Sequence, residues 1–211
     1  MTLNTEILQA NQSLSFQKAL NVLQNGGLVA FPTDTVYGVG ALAFNGAAVE
    51  SIYTAKDRPA EKAIPILIAG LDDLARVTSL PLPPMAVKLA SRFWPGPLTL
   101  VVPKLQTLPE AVSATETVGV RVPDHEVARA LLHAAGPMAV TSANVSGAQS
   151  PVTAQEVYEQ LGGKIALIID GGRTPGGIPS TLVDCTTPEL KMLRAGPIAL
   201  EELYSALRNS D

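Results

Sequence analysis

The sequence predicts an α/β fold built on one twisted, mostly buried sheet. Apolar strand-like runs alternate with helix-patterned segments along the chain, the signature of helices layered on a sheet. A hydrophobic fraction of 46% with only 16% charged residues supplies a substantial core and argues against disorder. No internal repeat or low-complexity tract interrupts the alternation, and composition does not shift at the Pro-rich stretch Pro81–Pro84. A chain of 211 residues is one large domain or two small ones, and a single domain over residues 1–211 is expected.

The elements follow in order. Phe16, Ala19, Leu20 and Leu23 have i, i+3, i+4, i+7 spacing, predicting an amphipathic helix over about Ser15–Asn25 that Gly26 and Gly27 end. Leu28–Phe31 is an apolar strand, stopped by Pro32, which cannot donate to a ladder. Ala47–Ala55 is helical, with Val49, Ile52 and Tyr53 on one face. Ile64–Ala69 is a short strand. Met85–Phe93 is a helix that Pro95 stops, and Leu98–Val102 and Val118–Val122 are strands. Asp124 is the expected N-cap of a helix through about Ala135, with Val127, Ala130, Leu131 and Ala134 facing inward. Met138–Thr141 is a strand. Thr153 and Glu156 form a capping box for a helix to Leu161. Ile165–Ile169, Leu182–Cys185 and Leu190–Leu193 read as strands, and Leu200, Leu203, Tyr204 and Leu207 give a closing helix.

Composition also excludes functions. A net charge of −4 argues against a broad nucleic-acid-binding face, although it leaves a local basic pocket open. The lone Cys185 rules out an internal disulfide or a Cys-rich zinc site, and it is expected to be a small buried apolar residue. The N-terminus has no basic region followed by an apolar run, and no stretch approaches the roughly 20 apolar residues of a membrane span. The uncharged run Ala134–Gln155 is broken by Gly, Pro, Ser and Asn. A cytoplasmic protein with no membrane association is expected.

Chemistry concentrates in three places. Residues 26–40 carry the apolar run to Phe31, then Pro32, Thr33, Asp34 and Thr35, then Gly38 and Gly40, where backbone is expected to approach a ligand closely. Lys56-Asp57-Arg58-Pro59 and Thr141-Ser142-Ala143-Asn144-Val145-Ser146-Gly147 follow. The usual phosphate and metal motifs are absent: there is no G-x-G-x-x-G, no G-x-x-x-x-G-K-[ST] and no H-E-x-x-H. His125 and His133 share one predicted helix, so a Ser-His-Asp hydrolase has little support. Lys56, Arg58, Lys62, Arg121 and Arg194 each lie beside Pro, Gly or the end of an apolar strand, where α/β sheets bind ligands. Two readings stay open for them. Arg121 belongs either to a binding site or to the charged face of a surface strand. Lys56 and Arg58 serve either a site or a solvated helix C-terminus. With Ser142, Asn144, Ser150 and Ser180, these cations suit a polyphosphate and a small polar substrate.

Seven segments together resemble the threonylcarbamoyl-AMP synthases, the YrdC-like family. They are Phe31-Pro32-Thr33-Asp34-Thr35-Val36-Tyr37-Gly38, Lys56-Asp57-Arg58-Pro59, Phe93-Trp94-Pro95-Gly96-Pro97-Leu98-Thr99, Val120-Arg121-Val122-Pro123, Thr141-Ser142-Ala143-Asn144-Val145-Ser146-Gly147, Pro179-Ser180-Thr181 and Arg194-Ala195-Gly196. They occur in the family order and span residues 27–196. The resemblance implies a YrdC-like twisted mixed sheet flanked by helices, with a large basic cavity. It implies conversion of L-threonine, bicarbonate and ATP, with Mg²⁺, to threonylcarbamoyl-AMP and pyrophosphate. The product would feed threonylcarbamoyladenosine modification of tRNA through a separate threonylcarbamoyltransferase.

The resemblance assigns roles as well. Lys56, Arg58, Ser142 and Asn144 form the catalytic set. Thr35, Arg121, Ser142 and Ser180 hold threonine. Arg58, Lys62, Thr117, Asn144, Ser150 and Arg194 hold ATP, and no residue is assigned to a metal. Two departures stand out. Some members carry a histidine in the strand after Lys-x-Arg, where this chain has Leu67 nearby, and longer members add a C-terminal domain, whereas this chain ends at Asp211. Competing readings are a non-catalytic RNA-binding module, a paralogue with altered carbamoyl-adenylate activity, and a hydrogenase-maturation carbamoyltransferase; Cys185 alone counts against the zinc-binding cysteines of the last.

Overall fold

The computed structural model describes residues 3–208. Its backbone is one mixed ten-stranded sheet. The strands are β1 (Glu6–Gln9), β2 (Val29–Phe31), β3 (Gly38–Leu42), β4 (Ile66–Leu67), β5 (Leu98–Pro103), β6 (Thr117–Arg121), β7 (Met138–Ser142), β8 (Leu167–Asp170), β9 (Thr181–Asp184) and β10 (Lys191–Arg194). They lie in the order β1-β8-β2-β3-β7-β4-β6-β5-β9-β10. Four pairs are parallel (β1 with β8, β8 with β2, β4 with β6, β5 with β9) and the other five are antiparallel. The helices are α1 (Ser13–Gln24), α2 (Gly46–Lys56), α3 (Pro84–Phe93), α4 (Glu126–Ala135), α5 (Ala154–Leu161) and α6 (Leu200–Arg208), with a 3-10 turn at Leu71–Arg76.

Strand alternation sorts the core onto two faces. Ala30, Val39, Ile66, Leu100, Val120 and Val183 point to the face covered by α2, α3, α5 and α6. Val29, Phe31, Leu67, Val140 and Ile169 point to the other, against Ala19 and Leu23 of α1 and Leu131 and Leu132 of α4. On this second face α1 packs over β8, β2 and β3, and α4 packs against α1. The candidate site lies further along this second face, where Leu67, Thr99, Arg121, Val140 and Leu182 line one cavity.

Local rules account for most boundaries. Asn45 caps α2 by accepting from Ala48 N at 3.1 Å, and Asp57 closes it in the left-handed region at φ 51°. The capping box of α5 forms with a shift of one residue: Thr153 Oγ1 accepts from Glu156 N, while Glu156 reaches back to Val152 N. Three expectations are corrected. The residue at the N-cap of α4 is His125, with no side-chain cap bond, and Asp124 lies outside. The inward face of α4 is Ala128, Leu131 and Leu132, one position on from the predicted stripe, so Ala130 and Ala134 are exposed. Gly38 and Gly40 are strand residues, not a loop: Gly38 lines the cavity described below, but Gly40 does not. A Cβ at Gly40 would stand 2.6 Å from the Ala139 carbonyl oxygen, so glycine is needed there for the approach of β3 to β7.

Candidate active site

Arg121 is the centre of the site. It ends β6 on the second face, beside Leu67 of β4, and is 5% exposed. Its Nε donates to Gly96 O at 2.9 Å, Nη1 to Thr35 Oγ1 at 3.1 Å and Nη2 to Asp34 Oδ1 at 2.5 Å. Three of the five guanidinium N–H groups are thus engaged, leaving two. Burial pulls its pKa down, and the Asp34 carboxylate opposes that. The Asp34 and Thr35 partners come from the loop after β2. There Thr33 Oγ1 donates to Val36 O at 2.7 Å and accepts from Thr35 N at 3.2 Å. Thr33 and Thr35 hydroxyls stand 3.0 Å apart. Because the Thr33 hydroxyl donates to Val36, Thr35 donates to Thr33, and its remaining capacity is as an acceptor.

A cavity of about 210 Å³ opens beside Arg121. Thr33, Thr35, Arg58, Thr99, Ser142, Ser180 and Arg194 line it with Leu67, Val140 and Leu182. Three arginines and no carboxylate face it. Arg58 is anchored through Nε to Lys62 O at 3.0 Å and Nη2 to Ala63 O at 2.8 Å. Arg194 donates from Nε and Nη2 to Ser180 O, at 3.0 and 2.8 Å, and from Nη2 to Ser180 Oγ at 3.1 Å. Ser180 Oγ also pairs with Thr99 Oγ1 at 2.7 Å. Burial lowers the pKa of Arg194, and the charges of Arg121 and Arg58 lower it further. The three cations repel one another, and an anion placed among them relieves that repulsion.

Lys56 sits beneath this floor, not in it. It is 1% exposed, and its Nζ donates to the carbonyls of Ser142 and Asn144. Burial, then the Arg58 charge, pulls its pKa down to about 7. Lys56 thereby ties the end of α2 to the loop after β7. Asn144 turns inward too: its Nδ2 donates to Val145 O and Ala148 O at 2.8 and 2.9 Å.

The structure therefore brings Thr35, Arg58, Arg121, Ser142, Ser180 and Arg194 together around one cavity. Other sequence candidates are placed elsewhere. The Lys62 side chain is exposed, and its backbone carbonyl is what anchors Arg58. Thr117 lies at the far end of β6, roughly 13 Å along the strand from Arg121. Ser150 lines a separate groove with Gln149, Pro151, Glu156, Glu159 and Gln160. Residues absent from the sequence assignment also take part. Asp34 orients Arg121, and Thr99 orients Ser180. A polar Thr99 in the apolar run Leu98–Val102 was the available signal. Asp34 carried none beyond its place between two threonines.

The resident donors do not fit a protein-held divalent cation, because the cavity offers guanidiniums and hydroxyls but no carboxylate. Among the described residues no group of three or more His, Cys, Asp or Glu side chains is placed to hold a metal. No helix among them is long and apolar enough to cross a membrane.

The Sua5/YciO/YrdC family model, described as telomere recombination, matches residues 21–196. The chain belongs to this family. Family relatives include a threonylcarbamoyl-AMP synthase of Pyrococcus abyssi, 43% identical over 209 residues, covering 98% of this chain and 61% of the relative. A Bacillus subtilis protein of the same name is 42% identical over 206 residues, covering 96% of this chain and 59% of the relative. Among solved structures, P. abyssi Sua5 complexed with L-threonine superposes with a TM-score of 0.90 at 40% identity, covering 99% of this chain and 61% of that one. The chain thus spans about three fifths of the length of these Sua5-type relatives. The shared architecture is the twisted mixed sheet flanked by helices.

Proposed function

We propose that this chain is an L-threonylcarbamoyladenylate synthase that converts L-threonine, bicarbonate and ATP to threonylcarbamoyl-AMP and pyrophosphate. One observation carries the reading: three mutually repelling arginines and a row of hydroxyls converge on a carboxylate-free cavity. The names of the relatives, and the threonine complex of P. abyssi Sua5, support it.

The two remaining N–H groups of Arg121 form a fork for the threonine carboxylate. Thr35 accepts from the substrate nitrogen, and Ser180 and Ser142 meet the threonine hydroxyl. Leu67 and Val140 give the methyl group an apolar wall. The threonine amine takes up bicarbonate with loss of water, and the resulting carbamate is already an anion, so no strong general base is required. A carbamate oxygen attacks the α-phosphorus of ATP. The new O–P bond forms as the bond to the β-phosphate oxygen breaks and pyrophosphate leaves. Arg58 and Arg194 stabilise the charge that develops on phosphoryl oxygens. About 210 Å³ is less than the roughly 300–1,000 Å³ of a typical small-molecule site, so the nucleotide extends out past Arg58 and Arg194. Mg²⁺ arrives on the triphosphate as part of the substrate. Lys56 and Asn144 hold the Ser142 loop in place. Lys62, Thr117 and Ser150 are left for the outer nucleotide. Residues 1–211 act as one catalytic unit in the cytoplasm, and the product passes to a separate tRNA threonylcarbamoyltransferase.

The test is mass-spectrometric detection of threonylcarbamoyl-AMP, with pyrophosphate release that needs both threonine and bicarbonate. Valine, the near-isostere without the hydroxyl, is expected to be a poor substrate, because the site's hydroxyls are then left unpaired. Equal turnover of valine and threonine, or release without bicarbonate, rejects the reading.

A further inference from the structure

Three buried side-chain atoms without a hydrogen-bond partner come from Asp34 and the first turn of α4. They are Asp34 Oδ2, His125 Nδ1 and Arg129 Nε. They are chemically complementary: one carboxylate acceptor, one guanidinium donor and one imidazole nitrogen. His125, the N-cap, and Arg129 are joined by the first backbone bond of α4, Arg129 N to His125 O at 2.9 Å, so the two residues lie one turn apart at the start of the helix. The loop after β2 packs beside that turn. A Cβ on Gly171 would touch Pro32 at 2.7 Å and Val127 at 3.4 Å, which puts the neighbours of Asp34 and of His125 around one point. Asp34 Oδ2 is shielded from solvent, and Asp34 does not line the cavity. Orphaned buried polar atoms are rare enough that a cluster of complementary ones calls for an explanation.

We propose that His125 is a positioning residue which, with Arg129, completes the hydrogen bonding of Asp34 and so fixes the Arg121 fork in the cavity. The proposal rests on the assignment of Arg121 to the threonine carboxylate. Asp34 is gripped from two sides: Arg121 holds Oδ1 at 2.5 Å, and the α4 pair, which makes no direct bond to Oδ2, reaches it through a bridging water. Without the second grip the carboxylate can rotate and take the guanidinium with it. The charges facing His125 are Asp34 across the interface and Asp124 and Glu126 on its own segment; burial outweighs them and keeps the ring neutral near pH 7. A neutral ring serves Asp34 only with its proton on Nδ1.

Two measurements on the full chain test this. In protein labelled with ¹⁵N-histidine, the His125 ring is expected in the Nδ1–H tautomer at neutral pH; the Nε2–H tautomer overturns the proposal. By calorimetry, His125→Ala is expected to weaken L-threonine binding about tenfold while ATP affinity changes less than about twofold. His125→Asn, whose amide occupies the place of Nδ1, is expected to restore most of the loss. Equal weakening for both ligands, no weakening for either, or no rescue by asparagine in a variant with normal circular dichroism, overturns it. A wild type that makes no threonylcarbamoyl-AMP refutes the functional reading alone, because the tautomer is read without turnover.

Discussion

Lys56 couples the site to the stability of the whole fold. Its side chain is fully buried, with a pKa pulled from 10.5 down to about 7. The unfolded chain keeps this proton up to about pH 10.5, whereas the folded chain releases it near 7. Between those values the unfolded state binds more protons, so stability rises with pH. The thiol of Cys185, raised from 9.0 to about 12 by burial, acts in the opposite sense above about pH 9. The lowered pKa of His125 acts only below about 6.5. Denaturant midpoints between about pH 7 and 8.5 therefore report Lys56, with a slope approaching ~1.4 kcal/mol per pH unit. In Lys56→Met the slope should vanish, and an unchanged slope counts against a neutral buried amine. Arg58 makes the complementary case. On the proposed reaction, Arg58→Ala removes a fixed donor to developing charge and should cost about 10²–10³ in turnover with circular dichroism preserved. Activity within a few-fold of wild type removes Arg58 from the reaction. Residue types around the cavity were legible because arginines and hydroxyls beside Pro and Gly mark strand-end loops. Side-chain direction was not. Lys56 and Arg58 are two apart, at and just beyond the end of α2, yet one goes under the floor and the other lines the cavity.

At the scale of elements, the helices were legible because each carries an apolar stripe, and their boundaries fell within two residues. Strand β3 was not, because its glycines hide period-two alternation: Val39 and Ala41 carry side chains to one face of the core, while Gly38 and Gly40 leave Leu42 alone on the other. Strand β1, only four residues at the sheet edge, has half-exposed alternation too short to read. Strand β4 shrinks from the expected Ile64–Ala69 to Ile66–Leu67, and at its start Ile64 N turns to a loop carbonyl, Val112 O, at 2.9 Å. The segment from Gly171 to Ser180 sets the edge of the cavity. Gly172 O accepts from Tyr37 Oη at 2.7 Å, Thr174 N donates to Val152 O at 2.9 Å, and Gly177 N to Thr35 O at 2.9 Å. Gly176 lies so close that a Cβ would stand 2.8 Å from Thr35 O and 2.9 Å from its Cα. Backbone on backbone cannot give way, so Gly176→Ala must displace the segment or Thr35. The threonine KM is expected to rise by up to about 10² with little change in Tm, since a displacement near 1 Å suffices for such a loss. A wild-type KM shows that this segment does not position Thr35.

For the whole molecule, charge placement decides how RNA is met. The chain carries a net −4, while Arg58, Arg121 and Arg194 converge on one cavity and partly engage one another's neighbourhood. The remaining cations include several tied to carboxylates at the surface: Lys18 to Glu6, Arg76 to Asp73 and Lys164 to Asp57. A duplex or stem-loop neutralised over many phosphates needs an open basic stripe, and an inward-facing set of arginines does not supply one. Each phosphate contact contributes about −0.7 to −0.9 to the slope of log affinity against log salt, so a few contacts give a shallow slope and weak binding overall. Direct tRNA affinity should therefore be weak at physiological salt, indifferent to sequence, and reduced further when saturating ATP and threonine fill the cavity. A salt titration of tRNA binding with and without those substrates measures it. Tight binding that ATP leaves undisturbed would place the RNA on a surface away from the arginines and favour an RNA-binding module over a small-molecule catalyst. Weak binding that ATP competes away is the outcome expected of an enzyme that hands its adenylate to a partner carrying the tRNA recognition.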